Sequence, residues 1–193
     1  MTAFVADSVS AFVRRLAVNL IPNGYWFYVS GSIPVDKDPL TVDAKFIEMH
    51  DLNQSKHARY RRRLAGQASV AYVRYEQEFI LLATHGEHAF FEREAGQILD
   101  LRRRPVRFHG YSISYRNGHA SVRIHTTEYT RLQRYLDKQS VDWSDLKLQH
   151  ALDSLGFDPY APVRQQLAGL KRRIQRRRWA CRPRLDNCRD LDY

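Results

Sequence analysis

The sequence predicts an α+β fold, on three observations. Apolar and polar residues alternate on either side of Asn117-Gly118, the signature of a two-residue antiparallel hairpin. Phe79-Ile80-Leu81-Leu82-Ala83 is a short continuous apolar run, as a buried central strand requires. Elsewhere apolar residues recur at three- and four-residue spacing, as in Val163, Leu167, Leu170 and Ile174. At 193 residues the chain suits one compact domain with an appendage, or two small ones.

Residues 3 to 20 read as a helix, with Val9, Phe12, Leu16 and Leu20 on one side, stopped by Pro22-Asn23-Gly24. Tyr25 to Ile33 is aromatic and β-branched, hence a strand. Asp38 caps and Pro39 opens a helix carrying Val42, Phe46 and Met49. Ser55 caps a second segment, Lys56 to Ala65, in which Tyr60 and Leu64 are the packing residues and Gly66 the stop. Two strands follow, Ser69–Tyr75 and Glu78–Thr84. A helix then runs from Glu87 to Leu99, capped by Glu87, and a strand from Val106 to Tyr115. The Asn117-Gly118 register pairs Arg116 with His119. It places Ser112, Ser114, Arg116, His119, Ser121, Arg123 and His125 on one face, the wet one. Thr127 caps a helix over Glu128–Lys138, and Asp142 or Ser144 starts another that ends at Gly156. The last helix spans Val163 to Trp179, and the tail beyond Pro183 reads as mobile.

The central order is strand, broken helix, strand, strand, helix, strand, with one added hairpin strand. That is the ferredoxin-like βαββαβ pattern of an antiparallel sheet, with an N-terminal helix and a helical C-terminal third. The expected domains are residues 1–138, α+β, and 139–193, a helical extension ending in the Arg-rich helix and its tail.

Charge narrows the partner class. The net charge is +10, and Arg outnumbers Lys 25 to 6. Arg forks onto phosphate and stacks on bases, so nucleic acid fits this bias better than solubility does. Nine cations and no acid lie between Arg164 and Arg184, leaving the rest of the chain near +1. Two further clusters stand out: Lys56, Arg59, Arg61, Arg62 and Arg63, then Arg102, Arg103, Arg104 and Arg107. In the C-terminal helix the cations are Lys171, Arg172, Arg173, Arg176, Arg177 and Arg178. Deleting the Arg164–Arg184 segment is expected to abolish most non-specific binding and leave the fold largely intact. No apolar run is long enough to span a membrane, and two Cys without a leader-like start point to a cytoplasmic, nucleoid- or ribonucleoprotein-associated protein.

Four candidate sites emerge. The basic clusters would hold a phosphate backbone. The polar hairpin face, with Arg116, His119, Arg123 and His125, is a candidate binding platform, which Trp26 and Tyr28 would extend if their strand neighbours it. His85, Glu87 and His88 follow a buried strand, where Glu and His can act as base and metal ligand. Tyr129 and Tyr135 lie on one helix, where a tyrosine can attack a phosphodiester.

At the level of topology, residues 25 to 138 resemble the HUH replication initiators and small transposases. That resemblance implies a divalent-metal nickase acting on single strands. The family's His–hydrophobic–His triplet is replaced by Phe79-Ile80-Leu81-Leu82, and His85 and His88 lie past the strand end. RNA-recognition modules share the topology, but their third-strand signature is absent from Glu78–Ala83. The phrases Asp100–Tyr115 and Pro159–Arg164 resemble an uncharacterised family of multi-copy bacterial proteins, which implies the setting of a mobile element. The expected function is nucleic-acid binding, RNA ahead of DNA, without catalysis and without a cofactor. The alternatives are the metal-dependent nuclease and an adaptor for a protein partner in a nucleoprotein complex.

Overall fold

The structure, a computed structural model, describes residues 3–139 and 143–181. It is α+β and divides into two compact units, Met1–Val122 and Arg123–Tyr193. The helix after the hairpin, expected to close the first domain, therefore groups with the later helices. The tail beyond Pro183, with Arg184 and Cys188, lies outside the described residues.

The first unit opens with a strand rather than a helix. Ala3–Ala6 (β1) pairs in parallel with Val70–Tyr75 (β3). Ser8 explains the difference: its backbone is extended, and its Oγ accepts from the Ala11 N–H at 3.2 Å, so no helix starts before it. Val9–Arg14 (α1) then runs on through a π-helical stretch, Arg15–Leu20, and a 3-10 turn, Ile21–Asn23, to Gly24. Phe12, Val13, Leu16, Leu20 and Ile21 are buried.

Phe27–Ser32 (β2) pairs antiparallel with Glu78–Ala83 (β4), which pairs antiparallel with β3. β4 is central and its Ile80–Ala83 are buried, as the apolar run requires. Pro39–Met49 (α2), capped by Asp38, and Lys56–Leu64 (α3), capped by Ser55, connect β2 to β3.

The helix expected over Glu87–Leu99 is only Ala89–Arg93 (α4). Glu87 cannot be helical, because its N–H donates to Gly66 O and its carbonyl accepts from Ala68 N–H. Gly86 sits so close to that neighbour that a Cβ would lie 2.5 Å from Gly66 O. His88, not Glu87, caps α4, its Nδ1 accepting from Phe90 N–H at 3.0 Å. The chain then returns as Leu99–Asp100 (β5) beside β2. The sheet order is β1-β3-β4-β2-β5.

The strand expected over Val106–Tyr115 is two strands, Val106–Phe108 (β6) and Tyr111–Arg116 (β7), turned by His109-Gly110, both at positive φ. With His119–Ile124 (β8) they form a separate three-stranded sheet, so this segment is not a strand of the main sheet. Asn117 and Gly118 also take positive φ, 51° and 82°, as a type I′ turn demands.

Both faces of the large sheet are covered. On one, Val29, Val70, Tyr72, Leu81 and Ala83 pack with Leu52 and Phe90, and with Phe46 and Phe91 from the helices. Tyr28, Ala71, Val73, Ile80 and Leu82 on the other are buried too. There α1 packs on β1 and β3, and Phe12 stacks on Phe108 of β6 at 3.8 Å. A buried ion pair ties α2 to β3: Asp43 accepts from Arg74 at 2.8 Å through both oxygens and from the Tyr72 hydroxyl at 2.6 Å.

The second unit packs Thr126–Gln139 (α5) and Asp145–Asp153 (α6) against Ala161–Cys181 (α7). Leu132, Leu136, Leu148, Leu152, Val163, Leu170 and Ile174 are buried, following the expected stripes. Ser144 caps α6. His125 rather than Thr127 caps α5, its Nδ1 accepting from Thr127 N–H at 3.3 Å. Because α7 is the partner of both other helices, removing Arg164–Arg184 would take away part of the core, contrary to the expectation that the fold survives it.

Candidate nucleic-acid interface

The three basic clusters differ in how far the protein neutralises them. α3 has no buried residue at all. At about 100° per residue, Ala58, Arg59 and Arg62 share the side that is half-buried. The expected packing residues point the other way: Tyr60 is 53% and Leu64 69% exposed. Arg62 bonds Asp51 and Gln67, each at 3.2 Å. Lys56, Arg61 and Arg63 are exposed and have no ion pair among the described residues; the Arg63 guanidinium lies 5.6 Å from the Tyr60 ring centre. An open groove of about 470 Å³ runs along Asp51, Gln54, Ala58 and Arg61. On the inner side, Arg59 places a second positive charge near Arg15. Burial, with that charge, lowers the Arg15 pKa. Arg15 was not among the residues the sequence singled out.

In the second cluster Arg102 is committed internally. It forks onto Asp100 (2.9 and 2.8 Å) and lies 4.7 Å over the Trp26 ring. The Arg102 hydrogen bonds hold the Asp100 pKa below its usual range. Arg103, Arg104 and Arg107 are exposed, with no ion pair among the described residues. The local fold presents them: the Tyr28 hydroxyl donates to the carbonyls of Arg104 and Pro105, fixing this turn against the sheet.

The third cluster is the most neutralised. Asp137 of α5 pairs with Arg173 at 3.0 Å and with Arg177 at 3.6 Å, and Asp145 of α6 pairs with Arg178 at 2.7 Å. Lys171 donates to Gln149 at 2.8 Å. Only Arg172 and Arg176 of the six are exposed without a polar partner among the described residues. These cations staple the three-helix unit together.

The hairpin does not provide the expected open platform. Arg116, His119 and Arg123 are exposed, but Ser114 and Ser121 between them are buried. His119 Nδ1 lies 3.0 Å from the Asn117 carbonyl, and His125 is taken up as a helix cap. Tyr28 is 3% exposed, and Trp26 is half-buried with its Nε1 donating to Ile21 O. Tyr28 is thereby closed to a base, and the half-buried Trp26 ring already carries the Arg102 guanidinium.

The residues proposed for catalysis are not gathered. His85 and Glu87 are exposed, while His88 spends Nδ1 on its cap, with a pKa lowered by burial and by Arg62 and Arg93. Among the described residues, no three of His, Cys, Asp and Glu converge on a point that could hold a metal. Tyr129 faces α7, where a Cβ on Gly169 would lie 3.6 Å from its hydroxyl, whereas Tyr135 is 55% exposed. No helix among the described residues is long and apolar enough to cross a membrane.

Sequence reading passed over His50, because a lone histidine at a helix end carries no pattern. It is 1% exposed between Phe46 and Phe90, and burial pushes its pKa down to about 4, with His88 and Arg93 adding to the shift. Glu94 stands 3.7 Å from Nε2, a contact made by a neutral ring. Since the unfolded chain takes its proton near pH 6.5, His50 favours the fold above that pH. The benefit is lost as pH falls toward 4, by about 3 kcal/mol in all. Unfolding midpoints of the protein and of His50→Leu, measured from pH 7 to 4, are expected to diverge, the variant losing less.

Neither protein-family models nor curated protein sequences match the chain.

Proposed function

We propose that the protein binds nucleic acid, RNA ahead of DNA, through the cations its own carboxylates leave unneutralised. One observation carries this. Lys56, Arg61, Arg63, Arg103, Arg104 and Arg107 are exposed without an ion pair among the described residues, whereas the equally basic α7 has Asp137 and Asp145 against it. Unpaired cations in short, well-anchored segments suit phosphate contacts that position a strand without reading sequence. The scaffold we infer is ferredoxin-like: β5-β2-β4-β3 is the strand order of a βαββαβ unit, every neighbour is antiparallel, and helices cross after β2 and β4. β1 is then an added edge strand. The faces of that sheet are covered, so binding falls to α3 and to the Arg103–Arg107 segment, whose last cation lies on β6. The family resemblance adds the setting of a mobile element.

The test is fluorescence anisotropy with a short single-stranded RNA across salt concentration. Six phosphate contacts give a log–log slope of about −4, so affinity falls roughly two orders of magnitude between about 50 and 200 mM salt. Salt-independent binding, or none, contradicts the proposal. Strand cleavage or a covalent adduct on adding Mg²⁺ or Mn²⁺ would turn the reading to the nuclease.

A further inference from the structure

The side chains of α3 are arranged inside out. A nine-residue helix on a folded body ordinarily turns its apolar residues inward. Here Ala58 and Arg62 face the protein, and Tyr60 and Leu64 face solvent. The helix has no buried residue, so packing does not explain why an aromatic and a leucine sit one turn apart on its outer side. Those two side chains are framed by Lys56, Arg61 and Arg63, and α3 contains no acid. The surface thus joins positive charge to an exposed ring, with a guanidinium already 5.6 Å from that ring.

An acidic peptide would satisfy the charges but has no need of a flat ring. Duplex nucleic acid presents phosphates, but its base faces are closed by stacking. A strand with unpaired bases offers both phosphates and π-faces, and aromatic–base stacking is indifferent to sequence. Building on the nucleic-acid reading above, we propose that α3 is the docking site for an unpaired segment of the strand, with Tyr60 stacking on one base and Lys56, Arg61 and Arg63 holding the flanking phosphates. Leu64 covers the far edge of the stacked base. The inward Arg62 bonds Asp51 and Gln67 and so fixes the helix's rotation, keeping Tyr60 outward.

The experiment measures binding of the full chain to one labelled oligoribonucleotide, single-stranded and annealed to its complement, alongside Tyr60→Ala and Tyr60→Phe. The single strand is expected to bind more tightly than the duplex. Tyr60→Ala should weaken single-strand binding about tenfold, with the salt slope unchanged, and Tyr60→Phe should restore it. Circular dichroism should find both variants folded, since Tyr60 packs on no core. If the single strand binds but Tyr60→Ala binds as well as the parent, or if the duplex is preferred, this inference falls and the nucleic-acid reading stands. If neither form binds, both fall. Tyr60-dependent binding of oligoglutamate as tight as that of the RNA would make the occupant a protein and overturn the proposal.

Discussion

Asp43→Ala is expected to destabilise the first unit by about 3–5 kcal/mol, the range for breaking a buried ion pair on one side. Asp43 is 7% exposed and accepts three hydrogen bonds, two from Arg74 and one from the Tyr72 hydroxyl. Removing the carboxylate leaves a guanidinium charge inside the α2–β3 seam without a counter-charge, its bond to the Glu76 carbonyl retained. Burial and the Asp43 bond push the Tyr72 pKa up, so the tyrosine stays a neutral donor throughout the accessible pH range. Denaturant unfolding followed by tyrosine and tryptophan fluorescence reads the loss. A double variant, Asp43→Leu with Arg74→Met, should recover most of it, because two apolar groups leave no unpaired charge.

The second large effect concerns the helical unit. A chain ending at Gly156 lacks α7, and with it the buried Val163, Leu170 and Ile174, each contributing about 1.5–3 kcal/mol by burial. It also strands Asp137 and Asp145, which face three arginines in the intact protein. Gln166, which bonds both the N–H and the carbonyl of Ile124, goes too. α5 and α6 are left with Leu132, Leu136, Leu148 and Leu152 against water, and neither is long enough to be stable alone. Far-ultraviolet circular dichroism should therefore fall by more than the helix deleted, the excess coming from α5 and α6. A loss equal to α7 alone would show that those two helices hold without it.

Local signals in the sequence hold at the hairpin and at three helix caps, although the caps of α4 and α5 fall to His88 and His125 instead of Glu87 and Thr127. Asn117-Gly118 made a hairpin because both residues tolerate positive φ, and Asp38, Ser55 and Ser144 capped helices because a short side chain reaches the free N–H groups behind it. Where a distant partner decides, the reading failed. Glu87 looks helical until Gly66 and Ala68 claim its backbone, and β1 looks like a first helical turn until β3 pairs with it. His109-Gly110 was a visible turn signal that an aromatic, β-branched surrounding obscured.

The candidate site divides along the same line. The basic clusters were plain from spacing, but their availability was not. Arg173 and Asp137 are 36 residues apart in sequence and 3.0 Å apart in space. The densest cluster is thereby the one most occupied internally, and the emphasis moves from α7 to α3 and the Arg103–Arg107 turn. Tyr60, expected to pack, is 53% exposed, whereas Tyr28 is buried, as an aromatic on a strand usually is.

The unneutralised cations of the first unit are proposed to bind the strand. The most direct measurement of this compares the salt dependence of RNA affinity for the parent, for a variant with Lys56, Arg61, Arg63, Arg103, Arg104 and Arg107 changed to Gln, and for Arg172→Gln with Arg176→Gln. Each lost phosphate contact removes about 0.7 from the slope for a single strand. The sixfold variant should therefore lose nearly all of the slope and at least about a hundredfold in affinity at low salt, with the double variant close to the parent. A sixfold variant that keeps the parent's affinity and slope would contradict the account.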